Sequence, residues 1–89
     1  MNATKNNSYN PAIKHFKRLL RFMLEQGRIT LDAKRYIDGI WRTDLKFAGD
    51  VLTEAANDAT KKGVKTIDDK HVRAARRLLE STRNMELQR

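Results

Sequence analysis

Residues 31 to 62 read LDAKRYIDGIWRTDLKFAGDVLTEAANDATKK, a stretch without proline in which apolar side chains recur at helical spacing. At 100° per residue, Ala33, Ile37, Ile40, Trp41, Leu45, Phe47, Ala48, Val51, Leu52, Ala55, Ala56 and Ala59 fill an arc of roughly 180°. The pattern predicts one uninterrupted helix from Leu31 to Lys62. At about 1.5 Å per residue it would be roughly 48 Å long, longer than the globule of about 30 Å that the chain can form. A surface helix of a monomer needs an apolar stripe of only about 100°. The reading is therefore that a partner covers the rest, and that Ile37, Ile40, Trp41, Asp44, Leu45, Ala48, Val51, Leu52 and Ala55 lie at a dimer interface.

On the amino-terminal side, Glu25 to Thr30 forms a loop. Gly27 can adopt a left-handed backbone there, Thr30 is placed to cap the long helix, and Asp32 suits its positive end. Before it, Asn10-Pro11 is a helix start: the asparagine side chain accepts from an orphan amide and proline needs no donor at the first helical position. The first helix then runs to about Leu24. Ile13, Phe16, Leu19, Leu20, Met23 and Leu24 gather on one side and Lys14, Lys17, Arg18 and Arg21 on the other. Such a cationic amphipathic helix suits a membrane surface, a partner groove or nucleic acid. The absence of tryptophan from its apolar side weakens the membrane reading. Residues 1–9, rich in asparagine and poor in apolar side chains, read as a disordered tail.

On the carboxy-terminal side, Gly63 ends the long helix after Lys61 and Lys62. Val64 to Ile67 form a second loop with β-forming character, and Asp68-Asp69 open a last helix. Its apolar side is Val72, Ala75, Leu78 and Leu79; its outer side carries Lys70, Arg73, Arg76 and Arg77. The ordered domain is expected over 10–82, with 83–89 as a basic tail.

The chain has 89 residues, no cysteine and a net charge of +8. One domain fits that length, and at this size association is a usual source of stability. Without cysteine there are no disulfides, thiolate metal sites or thiol catalysis. No apolar run approaches the roughly 20 residues that cross a bilayer. Two histidines, His15 and His71, share no metal-ligand spacing, and no glycine-rich phosphate loop is present, so neither enzyme chemistry nor a cofactor or small-molecule substrate is implied. His71 falls within the apolar side of the last helix and reads as a structural histidine. The charge is uneven: residues 1–30 hold six Lys/Arg against one acid, 31–62 six against six, and 63–89 seven against four. A neutral rod with basic flanks suits a dimerising element with polyanion-binding ends; a solubilising surface is the plainer alternative.

The order short helix, loop, long helix, loop, short helix resembles the all-α histone fold. In that fold two chains cross their long helices and each first loop pairs with the partner's second loop. Thr53-Glu54-Ala55 through Gly63-Val64-Lys65-Thr66-Ile67 resembles the corresponding part of archaeal histones, and Arg28-Ile29-Thr30 their first loop. Val64 and His71 stand where those proteins place an arginine–aspartate clamp. The stretch Ile67-Asp68-Asp69-Lys70-His71-Val72-Arg73-Ala74-Ala75 is similar instead to the centromere protein W family. That resemblance implies a nuclear inner-kinetochore subunit that pairs with a centromere protein T-like chain and binds centromeric DNA.

The resemblance also implies which residues meet DNA: Lys14, Lys17, Arg18 and Arg21 on the first helix, Arg28 and Thr30 in the first loop, Lys65 and Thr66 in the second. Exposed aromatic side chains are not expected beside these cations, so phosphate contact with duplex DNA is favoured over base stacking. Asp44 falls in the middle of the apolar arc, where two copies would meet in a symmetric homodimer, so it favours a heterodimer. A homodimeric DNA-packaging histone, a histone-fold transcription-factor subunit and a pure protein-assembly module remain the alternatives.

Overall fold

The computed structural model describes residues 10–87, in which four helices follow one another: α1 Pro11–Glu25, α2 Leu31–Trp41, α3 Leu45–Lys61 and α4 Asp69–Leu87. Local chemistry sets most of their ends. The Ala12 amide donates to Asn10 Oδ1 at 2.8 Å, and the Ala33 amide to Thr30 Oγ1 at 3.1 Å, so both caps act as the residue types require. Gly27 and Gly63 take φ of 69° and 74°, the left-handed turn that lets the Arg28 amide reach Met23 O and the Val64 amide reach Ala59 O. α4 continues to Leu87, so 83–87 extend the helix rather than form the expected tail. The expected disordered tail, 1–9, lies outside the described residues.

The helix from 31 to 62 is not continuous. It breaks at Arg42-Thr43-Asp44, because Asp44 takes an extended backbone (φ −152°, ψ 92°) and its carboxylate accepts from the Phe47 amide at 3.0 Å. Asp44 is thus the N-cap of α3, with its side chain 45 % exposed, and not a carboxylate in an apolar seam. The break satisfies its own backbone: Ile40 O accepts from the amides of Thr43 and Asp44 at 3.1 and 2.9 Å and from Thr43 Oγ1 at 3.1 Å.

With this break α2 folds back, and the two loops of one chain meet. Ile29 and Ile67 form a parallel β-bridge, in which the Thr30 amide donates to Ile67 O at 2.9 Å and the Ile67 amide to Arg28 O at 2.8 Å. Side chains brace it: Thr66 Oγ1 donates to Gly27 O at 2.7 Å, and Thr30 Oγ1 to Asp68 Oδ1 at 3.2 Å. The Asp68 amide in turn donates to Nδ1 of the buried His71 at 2.9 Å, so that His71 ties the second loop to the first turn of α4.

α2, α3 and α4 pack on one another and α1 lies against α2. Leu20, Ile29, Ile37, Val51 and Val72 are fully buried, and Ala33, Ala48, Ala55 and Ala59 leave room for close helix approach. Much of the central helices' apolar surface is thus covered within the chain itself. Among the residues expected at a dimer interface, Ile37, Ile40, Ala48, Val51, Leu52 and Ala55 are buried within the chain, while Trp41 and Leu45 are half-buried.

Two outcomes follow. Ile37→Ala should lower the unfolding free energy by about 2 to 5 kcal/mol, and Trp41→Ala by less, because the indole is only partly covered; guanidinium titration showing the reverse order would contradict this packing. The Asp69 amide is the main group holding the Asp68 carboxyl below its ordinary 3.8, with partial burial opposing and the Thr30 hydroxyl assisting. The unfolded chain then takes up a proton first as pH falls, so the contribution of Asp68 is complete above the ordinary carboxylate range and is lost below it. The denaturation midpoint should drop between about pH 5 and about pH 3, and Asp68→Asn should drop less.

Candidate nucleic-acid interface

Helical register alone places Lys14, Lys17, Arg18 and Arg21 on one strip of α1, three and four residues apart. All four are exposed, opposite the buried Ile13 and Leu20. Lys14, Arg18 and Arg21 form no ion pair among the described residues. The strip runs from the α2–α3 break, where Lys17 Nζ lies 5.6 Å from the Trp41 ring centroid, towards the paired loops.

At the loop end lies an open depression of about 800 Å³, lined by Arg28, Gly63, Lys65 and Thr66 among others, with no carboxylate side chain on its lining. Arg28 and Lys65 come together here on exposed backbone held by the Ile29–Ile67 bridge. The two threonines are used differently. Thr66 commits its hydroxyl proton to Gly27 O, and Thr30 both caps α2 and donates to Asp68. They position the loops that present Arg28 and Lys65.

At the opposite end, Trp41 stands between two cations, with the Arg42 guanidinium carbon 5.4 Å from its ring. Its Nε1 donates to Asp38 Oδ1 at 2.9 Å, and Lys34 Nζ donates to Asp38 Oδ2 at 2.8 Å. Burial pushes the Asp38 carboxyl up, but the hydrogen bonds from Lys34 and Trp41, with the charges of Lys34 and Arg42, hold it below the ordinary range. The sequence does not distinguish Arg42, because a continuous helix makes it an ordinary surface residue; the break leaves it exposed at the end of α2.

The cations of α4 are arranged otherwise. Arg73 pairs with Asp69 at 3.4 Å and Arg76 with Glu80 at 3.1 Å, each one turn away. Both guanidinium groups also lie within 5.9 Å of the Tyr36 ring, and Arg76 Nη1 donates to Tyr36 Oη at 3.4 Å. That hydrogen bond, with the one to Glu80, holds Arg76 protonated still more firmly than usual. Arg83 lies over Phe47 at 4.9 Å and reaches Asp44 at 4.0 Å. α4 thus neutralises much of its own charge, whereas α1 leaves its charge outward.

One aromatic departs from expectation. Phe22 is 54 % exposed beside Arg21 on α1, so an apolar ring does accompany the cations. The helical angle that places Phe22 next to Arg18 is the signal the sequence offers for it. Among the described residues, no three His, Asp or Glu side chains gather as metal ligands, and no helix is long and apolar enough to cross a membrane.

No curated protein and no solved structure gives a significant match. A family model does, over residues 12–75, and it spans α1, both loops, the α2–α3 pair and the start of α4. Its members are DNA-packaging and transcription-factor proteins, not enzymes, that dimerise with histone-fold partners and bind DNA. With its helices in that order and its two loops paired beside Arg28 and Lys65, the chain belongs to the family of histone-like transcription factors (CBF/NF-Y) and archaeal histones.

Proposed function

We propose that this chain binds duplex DNA along its phosphate backbone, using the α1 strip of Lys14, Lys17, Arg18 and Arg21 together with Arg28 and Lys65 at the paired loops. The observation that carries the reading is the contrast between α1, whose exposed cations lack carboxylate partners among the described residues, and α4, where Arg73 and Arg76 are paired one turn away and Arg83 reaches Asp44, leaving Arg77 outward. Outward ammonium and guanidinium groups at helical spacing meet phosphates without reading base edges, so binding is of low sequence selectivity and strongly salt-dependent.

A narrower reading is a centromere protein W-like subunit that pairs with a centromere protein T-like chain at the nuclear centromere. It is supported by the resemblance of Ile67-Asp68-Asp69-Lys70-His71-Val72-Arg73-Ala74-Ala75 and by the departure from the archaeal arginine–aspartate clamp at Val64 and His71, His71 accepting instead from the Asp68 amide. Recovery of a histone-fold chain and kinetochore proteins with the endogenous protein supports it; recovery of bulk chromatin alone favours the packaging alternative.

Replacing Lys14, Lys17, Arg18 and Arg21 by glutamine should leave the helical content unchanged, since the four lie outside the core. Duplex binding should weaken, and the slope of log K against log salt should shrink by about 0.9 for every phosphate that the variant no longer neutralises. Arg73→Gln with Arg77→Gln on α4 is the comparator for net charge and should change the slope less. An unchanged slope in the α1 variant, or an equal change per charge in the α4 variant, contradicts the assignment.

A further inference from the structure

Tyr36 of α2 and Arg73, Arg76, Arg77 and Glu80 of α4 line an open depression of about 490 Å³. Three guanidinium groups and a phenol share this lining with one carboxylate, so donors outnumber acceptors. Arg76 commits Nε to Glu80 at 3.1 Å and Nη1 to Tyr36 Oη at 3.4 Å. Arg73 touches Asp69 through one nitrogen at 3.4 Å, and its side chain stays 62 % exposed. Arg77 is exposed and forms no ion pair among the described residues. The Tyr36 oxygen accepts from Arg76, while its own proton goes to no acceptor among the described residues.

Guanidinium forks beside a free hydroxyl suit an anion with several terminal oxygens. A DNA phosphodiester brings a single charge, and Asp69 and Glu80 already offset much of what the arginines would gain from it. A phosphomonoester brings three acceptor oxygens and about −1.5 to −2 charges at pH 7, so the depression favours it where the unpaired α1 strip makes no such choice. At 100° per residue, Ala74 and Leu78 fall on the side of Arg77 away from Arg73 and Arg76, and both are exposed. An apolar neighbour is of no use to a free phosphate or a nucleic-acid end. A polypeptide supplies its complement in a residue flanking the phosphorylated one. We propose that this depression binds a phosphorylated side chain of a partner polypeptide. Arg73, Arg77 and the Tyr36 hydroxyl hold the phosphoryl oxygens, Arg76 positions Tyr36, and Ala74 and Leu78 meet a flanking apolar residue.

The inference does not depend on DNA binding by α1. NMR of the arginine Nε–Hε signals of the full chain follows titration with a glycine peptide carrying phosphoserine and, three residues on, leucine. The unphosphorylated peptide, dimethyl phosphate and a 5′-phosphorylated duplex oligonucleotide are the comparison probes, and circular dichroism verifies that each variant is folded. The phosphopeptide should move the signals of Arg73 and Arg77 before those of Arg18 and Arg21, at concentrations where the unphosphorylated peptide and dimethyl phosphate move neither. Arg77→Gln should weaken phosphopeptide binding by about tenfold, the weight of one hydrogen bond to a charged group. Tyr36→Phe keeps the ring and should weaken it by less. The variant with glutamine at Lys14, Lys17, Arg18 and Arg21 should lose less affinity than Arg77→Gln does, although it gives up four charges. Equal shifts at all four arginines, or unchanged affinity in folded Arg77→Gln, overturns the proposal. So does a duplex end that, in the α1 variant, moves the Arg77 signal at lower concentration than the phosphopeptide.

Discussion

The rest of the structure depends on the pairing of two short loops within one chain. Ile29 and Ile67 are nearly forty residues apart, yet the Thr30 and Ile67 amides each find a carbonyl on the other loop. That junction forces α2 to reverse on α3, and the reversal requires the break at Asp44. It also fixes the end of α1, because the turn at Gly27 feeds directly into Arg28, whose carbonyl accepts from Ile67. A few polar groups thus determine where three helix ends meet. Among the described residues no buried side-chain nitrogen or oxygen is left without a partner, so closure leaves no desolvation cost of that kind.

Packing follows from the same closure. A chain of 89 residues has little interior to fill with bulky side chains, and the central helices meet through alanine, with Ile37, Val51 and Val72 filling the space between. Small residues bring the axes together and make the seam sensitive to any change in volume. Most of the apolar face is covered within the chain, with Trp41, Leu45 and Phe47 left half-buried. Charge is divided differently. α4 pairs Arg73 and Arg76 with acids one turn away and lays them over Tyr36, and lays Arg83 over Phe47, while α1 offers its cations to solvent. The asymmetry separates a helix that completes the fold from one that can meet a polyanion.

Much of this is legible in the sequence because it is local. Asn10-Pro11, Thr30, Gly27 and Gly63 act where cap and turn chemistry puts them, and His71 is structural as its place on the apolar side of the last helix implies. The break is not legible, for a physical reason. Thr43-Asp44 is a helix-start signal, but it competes with an apolar stripe that continues in phase and with the absence of glycine or proline, and periodicity alone cannot say which wins. The outcome is decided by tertiary contacts, since capping by Asp44 is worth having only if the loops gain one another. Phe22 is hidden for the opposite reason: its exposure reflects what α1 does not touch, and a sequence carries little trace of neighbours that are missing.

The most direct test of intrachain closure is amide hydrogen exchange at Thr30 and Ile67, the two amides that donate across the loop junction, measured over a dilution series. If one chain pairs its own loops, both amides stay protected, with protection factors that do not change as the protein is diluted through the range in which it sediments as a monomer. If the loops pair only between chains, protection at Thr30 and Ile67 falls with dilution while amides in the middle of α3 keep theirs, and that result would contradict the account.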